Sequence, residues 1–241
     1  MRLLILWIVL FVPAASAAQQ NFASISFGGS LPMNAYSETG DLAANGYASP
    51  SGAVKFDAAF YPVSYLGIGT TASFGSNYAL KDSLLNEMLA HIEQTGALDG
   101  PIPGSAEVFF GSGFWNYLNL MAGPNFTFRP TKRLYFDFRG LVGLTILIPP
   151  QQEMRLVLTD KEVRAGMSGT KLSLGYTAGM GIRYRLNSGI AVRLAADYFR
   201  SRTSMDYYFK LIENSTRDLQ GIDAGFAVET VELSAGLAYY F

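Results

Sequence analysis

From Val231 to Phe241 the chain alternates in character. Val231, Leu233, Ala235, Leu237, Tyr239 and Phe241 fall on one parity, and Glu232, Ser234, Gly236, Ala238 and Tyr240 fall on the other. Successive strand side chains point to opposite faces, so this segment reads as a strand with one apolar and one polar face. Seven earlier segments repeat the pattern: Phe22 to Leu31, Ala53 to Tyr61, Leu66 to Gly75, Asn116 to Phe128, Leu134 to Leu147, Lys171 to Leu186 and Ile190 to Tyr198. Eight alternating segments restrict the chain to sheet structures with two chemically different faces.

The connections alternate in length. Tight ones fall at Pro62–Tyr65, Arg129–Arg133 and Asn187–Gly189, each with the Pro, Asn or Gly a turn requires. Long ones fall at Pro32–Ser51, Ser76–Trp115, Ile148–Thr170 and Phe199–Val228. Long connections on one end and short on the other are the asymmetry of a barrel that crosses a membrane with strands. Pro124 lies inside the fourth segment and cannot donate to a ladder, so a bulge or local kink is expected there.

The polar parity decides between water and lipid. A soluble barrel would turn its apolar parity inward and carry Lys and Glu outside. Instead the polar parities of the first and third segments read Phe22, Ser24, Ser26, Gly28, Ser30 and Gly67, Gly69, Thr71, Ser73, Gly75, without a charge. Small residues suit a crowded lumen, which puts the apolar parity against lipid. Charged residues make up 15% of the chain, against ~25% in ordinary soluble domains, and aromatics make up 14%. Past the first twenty residues no apolar run approaches the length of a spanning helix, so a membrane would be crossed by a closed barrel without free edges. Arg2, the apolar run Leu3 to Val12 and Ala15-Ser16-Ala17 read as a secretory signal peptide over residues 1–17, cleaved between Ala17 and Ala18. Residues 18–241 would then form the barrel.

The terminal alternation ending on Tyr239 and Phe241 resembles the C-terminal signal read by the assembly machinery of the bacterial outer membrane. Together with Ala122-Gly-Pro124 followed by alternating aromatics, it is similar to the family of small outer-membrane β-barrel proteins that includes the OmpA and OmpX barrels and, more distantly, OmpW-like ones. That resemblance implies an all-β fold: an eight-stranded antiparallel up-and-down barrel with both termini periplasmic. It also implies contact with outer-membrane lipid and lipopolysaccharide, and a monomer. For activity it implies a structural, adhesive or surface-recognition role exerted through extracellular loops. A narrow channel for small or hydrophobic solutes and a lipid-modifying enzyme are the other roles open to such a barrel.

By parity, Lys55, Asp57, Asp137, Arg139, Lys171, Arg183, Arg185, Arg193, Asp197 and Glu232 point into the lumen. Eight strands leave a bore that side chains fill, and unpaired charge there is costly, so opposite signs should meet in one network. Lys55, Asp57, Asp137, Arg139, Arg193, Asp197 and Glu232 are its expected members, as a plug or as a gate. Gly175, Gly179 and Gly181 would relieve crowding against it.

Tyr78 to Thr95 carries Leu80, Leu84, Leu85, Met88, Leu89 and Ile92 at helical spacing, so one short amphipathic helix is expected in the second long connection. It would serve as a lid, or as a surface for lipid or a partner. His91 is the one histidine and there is no cysteine, which disfavours nucleophilic catalysis and transition-metal binding; no cofactor is expected. A formal net charge of −1 gives no field for nucleic acid. The loop cations Lys81, Arg155, Lys161, Arg164, Arg202, Lys210 and Arg217 could meet lipopolysaccharide phosphates, and Tyr207 to Phe209 could meet the membrane interface or a partner.

Overall fold

The computed structural model describes residues 21–96, 98, 100–111, 113–150, 153–213 and 215–241. The expected signal peptide and its Ala17–Ala18 cleavage site lie outside the described residues. Strands are β1 (Phe22–Pro32), β2 (Ala48–Ser49), β3 (Ser51–Val63), β4 (Leu66–Ala79), β5 (Glu107–Phe110), β6 (Phe114–Phe128) and β7 (Leu134–Ile148). They continue with β8 (Glu153–Val157), β9 (Glu162–Ser168), β10 (Lys171–Arg185), β11 (Ile190–Ile212), β12 (Thr216–Asp218) and β13 (Ile222–Tyr240). One α-helix, α1 (Lys81–Gln94), follows β4, and a single 3-10 turn (Asn34–Tyr36) follows β1.

Eight of these strands close a ring. The order β10-β7-β6-β4-β3-β1-β13-β11 is completed by pairing of β10 with β11, and every pair is antiparallel. Each expected segment is the core of one ring strand. No extra residue enters at Pro124: β6 keeps one register with β7 from Ala122↔Val142 to Asn125↔Arg139, and with β4 through Ile68↔Pro124. The expected bulge is therefore replaced by a short break in the ladder, which a missing N–H produces without shifting register.

The apolar parity faces outward. Phe56, Ile68, Leu120, Phe138, Val142, Met180, Leu194 and Leu237 are all exposed, while their neighbours on the other parity are largely buried. Such a wall in water would be a very large exposed apolar surface; against hydrocarbon it is at its most stable.

Two long connections contain more structure than their sequence suggests. The stretches 148–170 and 199–228, expected as loops, supply β8, β9, β12 and the upper halves of β11 and β13. β11 runs unbroken for 23 residues and pairs with β9 beyond the ring, β9 pairs with β8, and β8 with β5. This four-strand sheet forms a head on the long-connection end. It reads poorly in sequence because most of its strands are short, and because the outward parity of β9 and the top of β11 carries charges (Glu162, Arg164, Arg202, Asp206, Lys210) in place of the lipid-facing apolar residues that mark the ring.

Under the head lies an apolar core. Tyr36, Trp115 and Phe226 meet ring to ring, with centroids 6.1 Å apart for Tyr36–Trp115 and 5.5 Å for Trp115–Phe226. Leu84, Met88 and Ile92, one face of α1, are buried into the same cluster, as the helical spacing requires. Tyr207 and Phe209 are buried there too, which corrects their expected role at the membrane interface; only Tyr208 of that trio faces outward.

Candidate functional site

Functional side chains gather at three levels along the lumen and on the outer face of the head. The middle level is a chain of alternating charges. Arg193 pairs with Asp57, and Asp57 meets Arg139 Nη1 at 2.5 Å. Arg139 grips Asp197 through Nε at 2.8 Å and Nη2 at 2.6 Å. Lys55 then bridges Asp197 at 2.6 Å and Glu232 at 2.5 Å. Three cations and three anions alternate, all buried, so the group is neutral. Six strands supply members or their hydrogen-bond partners, because inward positions recur every second residue and the register aligns them, as in Asp197↔Glu232. Gly179 makes the room: a Cβ there would fall on the Asp197 carboxylate.

Above it the network turns neutral. Tyr117 donates to Glu232 at 2.7 Å and lies 2.7 Å from the Ser30 hydroxyl, which donates to Asn77 at 3.1 Å. Asn77 ends the ladder on the Ser49 carbonyl at 2.9 Å, directly beneath the apolar cap.

The lowest level closes the tight-turn end. Arg183 forms two bonds to Asp137, Nε to Oδ2 at 2.6 Å and Nη2 to Oδ1 at 2.7 Å. Its guanidinium lies 3.9 Å over the Phe22 ring, with Tyr135 and Tyr240 at 5.1 and 5.3 Å. Thr127 donates to Asp137 at 2.6 Å. A desolvated cation is thus stacked on aromatic faces and paired bidentately through Nε and Nη2.

Of the expected lumen residues, Arg193, Asp57, Arg139, Asp197, Lys55 and Glu232 are brought together, and Asp137 stands apart with Arg183. Lys171 departs from the expectation: it sits at the exposed rim, 2.8 Å from Asp206, because β10 begins where the lumen opens. Arg185 lies at the opposite mouth, 4.1 Å over the Tyr240 ring. Thr71, Tyr117, Thr127 and the Phe22–Tyr135–Tyr240 cage carry no charge, so charge patterning does not reveal them. Their only signal in the sequence is inward parity. Tyr239 and Phe241 point outward on the lipid-facing parity, each 60% exposed.

The outer face of the head is charged. Cross-strand register lines up Phe109, Arg155, Arg164 and Lys210 in one row over β5, β8, β9 and β11. Glu162 takes Arg155 at 2.9 Å and Arg164 at 2.6 Å, and these hydrogen bonds lower its carboxyl to about 2. β5 is the last strand of the sheet, and Val108 and Phe109 on it are exposed, Phe109 by 54%. His91 stands over the Phe209 ring, centroids 4.6 Å apart, with Nε2 3.3 Å from the Gln220 carbonyl. Among the described residues no cluster of His, Asp and Glu could hold a metal ion.

No family model matches the chain, and no curated protein matches it. Solved structures do. Ail, the attachment invasion locus protein of Yersinia pestis, is 12% identical over 90% of this chain and 98% of its own, with a TM-score of 0.36. The outer membrane protein AlkL is 14% identical over 92% and 90%, with a TM-score of 0.37. A major outer membrane protein from Thermus thermophilus is 9% identical over 91% and 99%, with a TM-score of 0.43. The chain is similar to small outer-membrane β-barrel proteins, at scores that leave the fold to rest on its own closed ring and inverted faces. The chain is an eight-stranded transmembrane β-barrel. In this barrel the lumen is polar and internally neutralised, and the wall is apolar. Among the described residues, the large ordered surface presented to water is the head.

Proposed function

We propose that the barrel resides in the bacterial outer membrane, with both termini in the periplasm, and works as a non-conducting scaffold that presents its head for surface recognition or adhesion. The observation that carries this reading is the lumen filled at every level: the Arg183 cage, the six-residue ion chain and the apolar cap around Trp115. A side-chain-filled eight-strand bore has no continuous path for solute. What remains for function is the head, where β5 is the last strand of the sheet among the described residues and carries the exposed Val108 and Phe109. An edge strand is a template for a partner's extended segment. This reading assigns no catalysis; His91 is spent on the Phe209 ring and the Gln220 carbonyl.

The test is the surface-binding profile of a strain lacking the chain, restored with the wild type or with Val108→Lys/Phe109→Lys. Binding lost in the deletion strain, regained with wild type and not with the double variant, supports recognition through β5. An unchanged profile in the deletion strain contradicts it.

A further inference from the structure

On the outer wall, just below the head, the apolar surface is interrupted by a built polar site. Glu229 lies on the outward parity of β13, yet its side chain is only 7% exposed. Its Oε2 accepts from Asn34 Nδ2 at 2.6 Å and from the Tyr198 hydroxyl at 2.9 Å, and its Oε1 meets Arg200 Nε at 3.2 Å. Asn34 is held in the left-handed region, φ 52°, to reach it. Register places Tyr176, Arg200 and Glu229 in one row across β10, β11 and β13. Tyr176 and Tyr198 stand side by side, ring centroids 6.2 Å apart.

The carboxylate is thereby consumed by three partners, and it fixes Arg200 through Nε alone. The guanidinium remains one-third exposed toward the outside. Two residues along the same face, Arg202 is exposed with Ala227 opposite it, a side chain too short to cover it. The site therefore carries Arg200 and Arg202 against one carboxylate, a net charge of +1. Toward the tight-turn end the wall beneath it is lipid-facing: Met180 on β10, Leu194 on β11 and Leu233 on β13 are all exposed, Met180 at 60%. Planar guanidinium groups match phosphate oxygens pairwise, and tyrosines beside them suit the level where hydrocarbon gives way to headgroups.

From this geometry we infer that Arg200, Arg202, Tyr176 and Tyr198 form a binding site for the phosphate headgroup of a membrane lipid, with its acyl chains running down the wall over Met180, Leu233 and Leu194. The inference rests on the membrane reading of the barrel. A free anion would gain the cations but leave the apolar wall beneath them unused. A lipid phosphate uses both. Glu229 acts as a positioning residue, setting the Arg200 plane.

The full barrel is folded into phosphatidylcholine membranes with and without phosphatidic acid, and lipid retained after detergent extraction is counted by native mass spectrometry. The wild type retains phosphatidic acid in preference to phosphatidylcholine. Arg202→Glu lowers that retention about tenfold, the loss of one charge-assisted contact. Arg155→Glu, a charge change of equal size on the head, leaves it unchanged, and millimolar inorganic phosphate does not displace the lipid. Arg200→Lys, which keeps a charge opposite Glu229, gives an intermediate loss. Equal retention by wild type and Arg202→Glu overturns the site, as does an equal loss in Arg155→Glu. Displacement by inorganic phosphate overturns the lipid as ligand. A chain that does not fold into phosphatidylcholine membranes at all overturns the membrane reading itself.

Discussion

Arg183 lies with its guanidinium 3.9 Å above the ring of Phe22, the first residue of the first ring strand. That stack joins β10 to β1 across the bore, between strands that do not pair with each other. With Asp137 holding the same guanidinium edge-on, the tight-turn mouth is closed by one side chain that meets four elements of the wall.

Replacing Arg183 separates charge from shape. Arg183→Met leaves Asp137 buried without a counter-charge and should cost about 3–5 kcal/mol. Arg183→Lys keeps the charge but loses the bidentate grip and most of the stacking, and should cost about 2 kcal/mol. Urea unfolding of vesicle-inserted barrel measures both; equal stability of Met and wild type would show that Asp137 is not dependent on this partner.

Gly179 offers a test that adds only one methyl group. A Cβ at this position meets the Asp197 carboxylate, so Gly179→Ala must displace a residue that both Arg139 and Lys55 hold. Overpacking of this kind costs about 1–3 kcal/mol. Gly225→Ala, where a Cβ meets nothing within 4 Å, should stay within about 0.5 kcal/mol of wild type. Comparable tolerance at the two sites would mean that the ion chain is loose.

The faces differ in what they accept. Leu194 is exposed on the wall, and Leu194→Arg should cost about 2–4 kcal/mol near the bilayer midplane. Leu194→Phe keeps the surface apolar and should fold as the wild type does. If Arg and Phe are tolerated alike, the wall around Leu194 is not in hydrocarbon.

Glu162 gives the head a pH dependence. Its carboxyl, ordinarily at 4.5, is lowered to about 2 by hydrogen bonds from Arg155 and Arg164. A lowered carboxyl contributes stability that is complete above the unfolded value and is lost as pH falls through the folded one. The β8–β9 hairpin should therefore lose protection from hydrogen exchange between pH ~4.5 and about 2, with Glu162→Gln removing that dependence. Exposure of the three side chains keeps the effect modest. Protection that is flat across this window in the wild type would contradict the pairing.

The ring was legible because lipid on one side and a charged lumen on the other force a strict two-residue period, as in Leu233, Glu232 and Ser234. Parity alone placed Lys55, Asp57, Arg139, Arg193, Asp197 and Glu232 on the inner face. Which of them touch depends on the register between strands distant in sequence, and the neutral partners Thr71 and Tyr117 have no charge to mark them. The head was hidden for a different reason. Its strands face water on one side and a small loop core on the other, so Tyr207 and Phe209 look like exposed aromatics until the cap they enter is known. Lys171 shows the limit of parity: direction into the lumen means nothing at the rim.

Single-channel recording in planar bilayers bears most directly on the sealed lumen. Wild-type barrel, inserted and shown folded by its resistance to protease, should give no resolvable ionic steps. Glu232→Ala, which leaves Lys55 with Asp197 alone and takes away the acceptor of the Tyr117 hydroxyl, should lower stability and admit water before it admits ions. A steady, ohmic open state in the wild type would contradict the account at its centre.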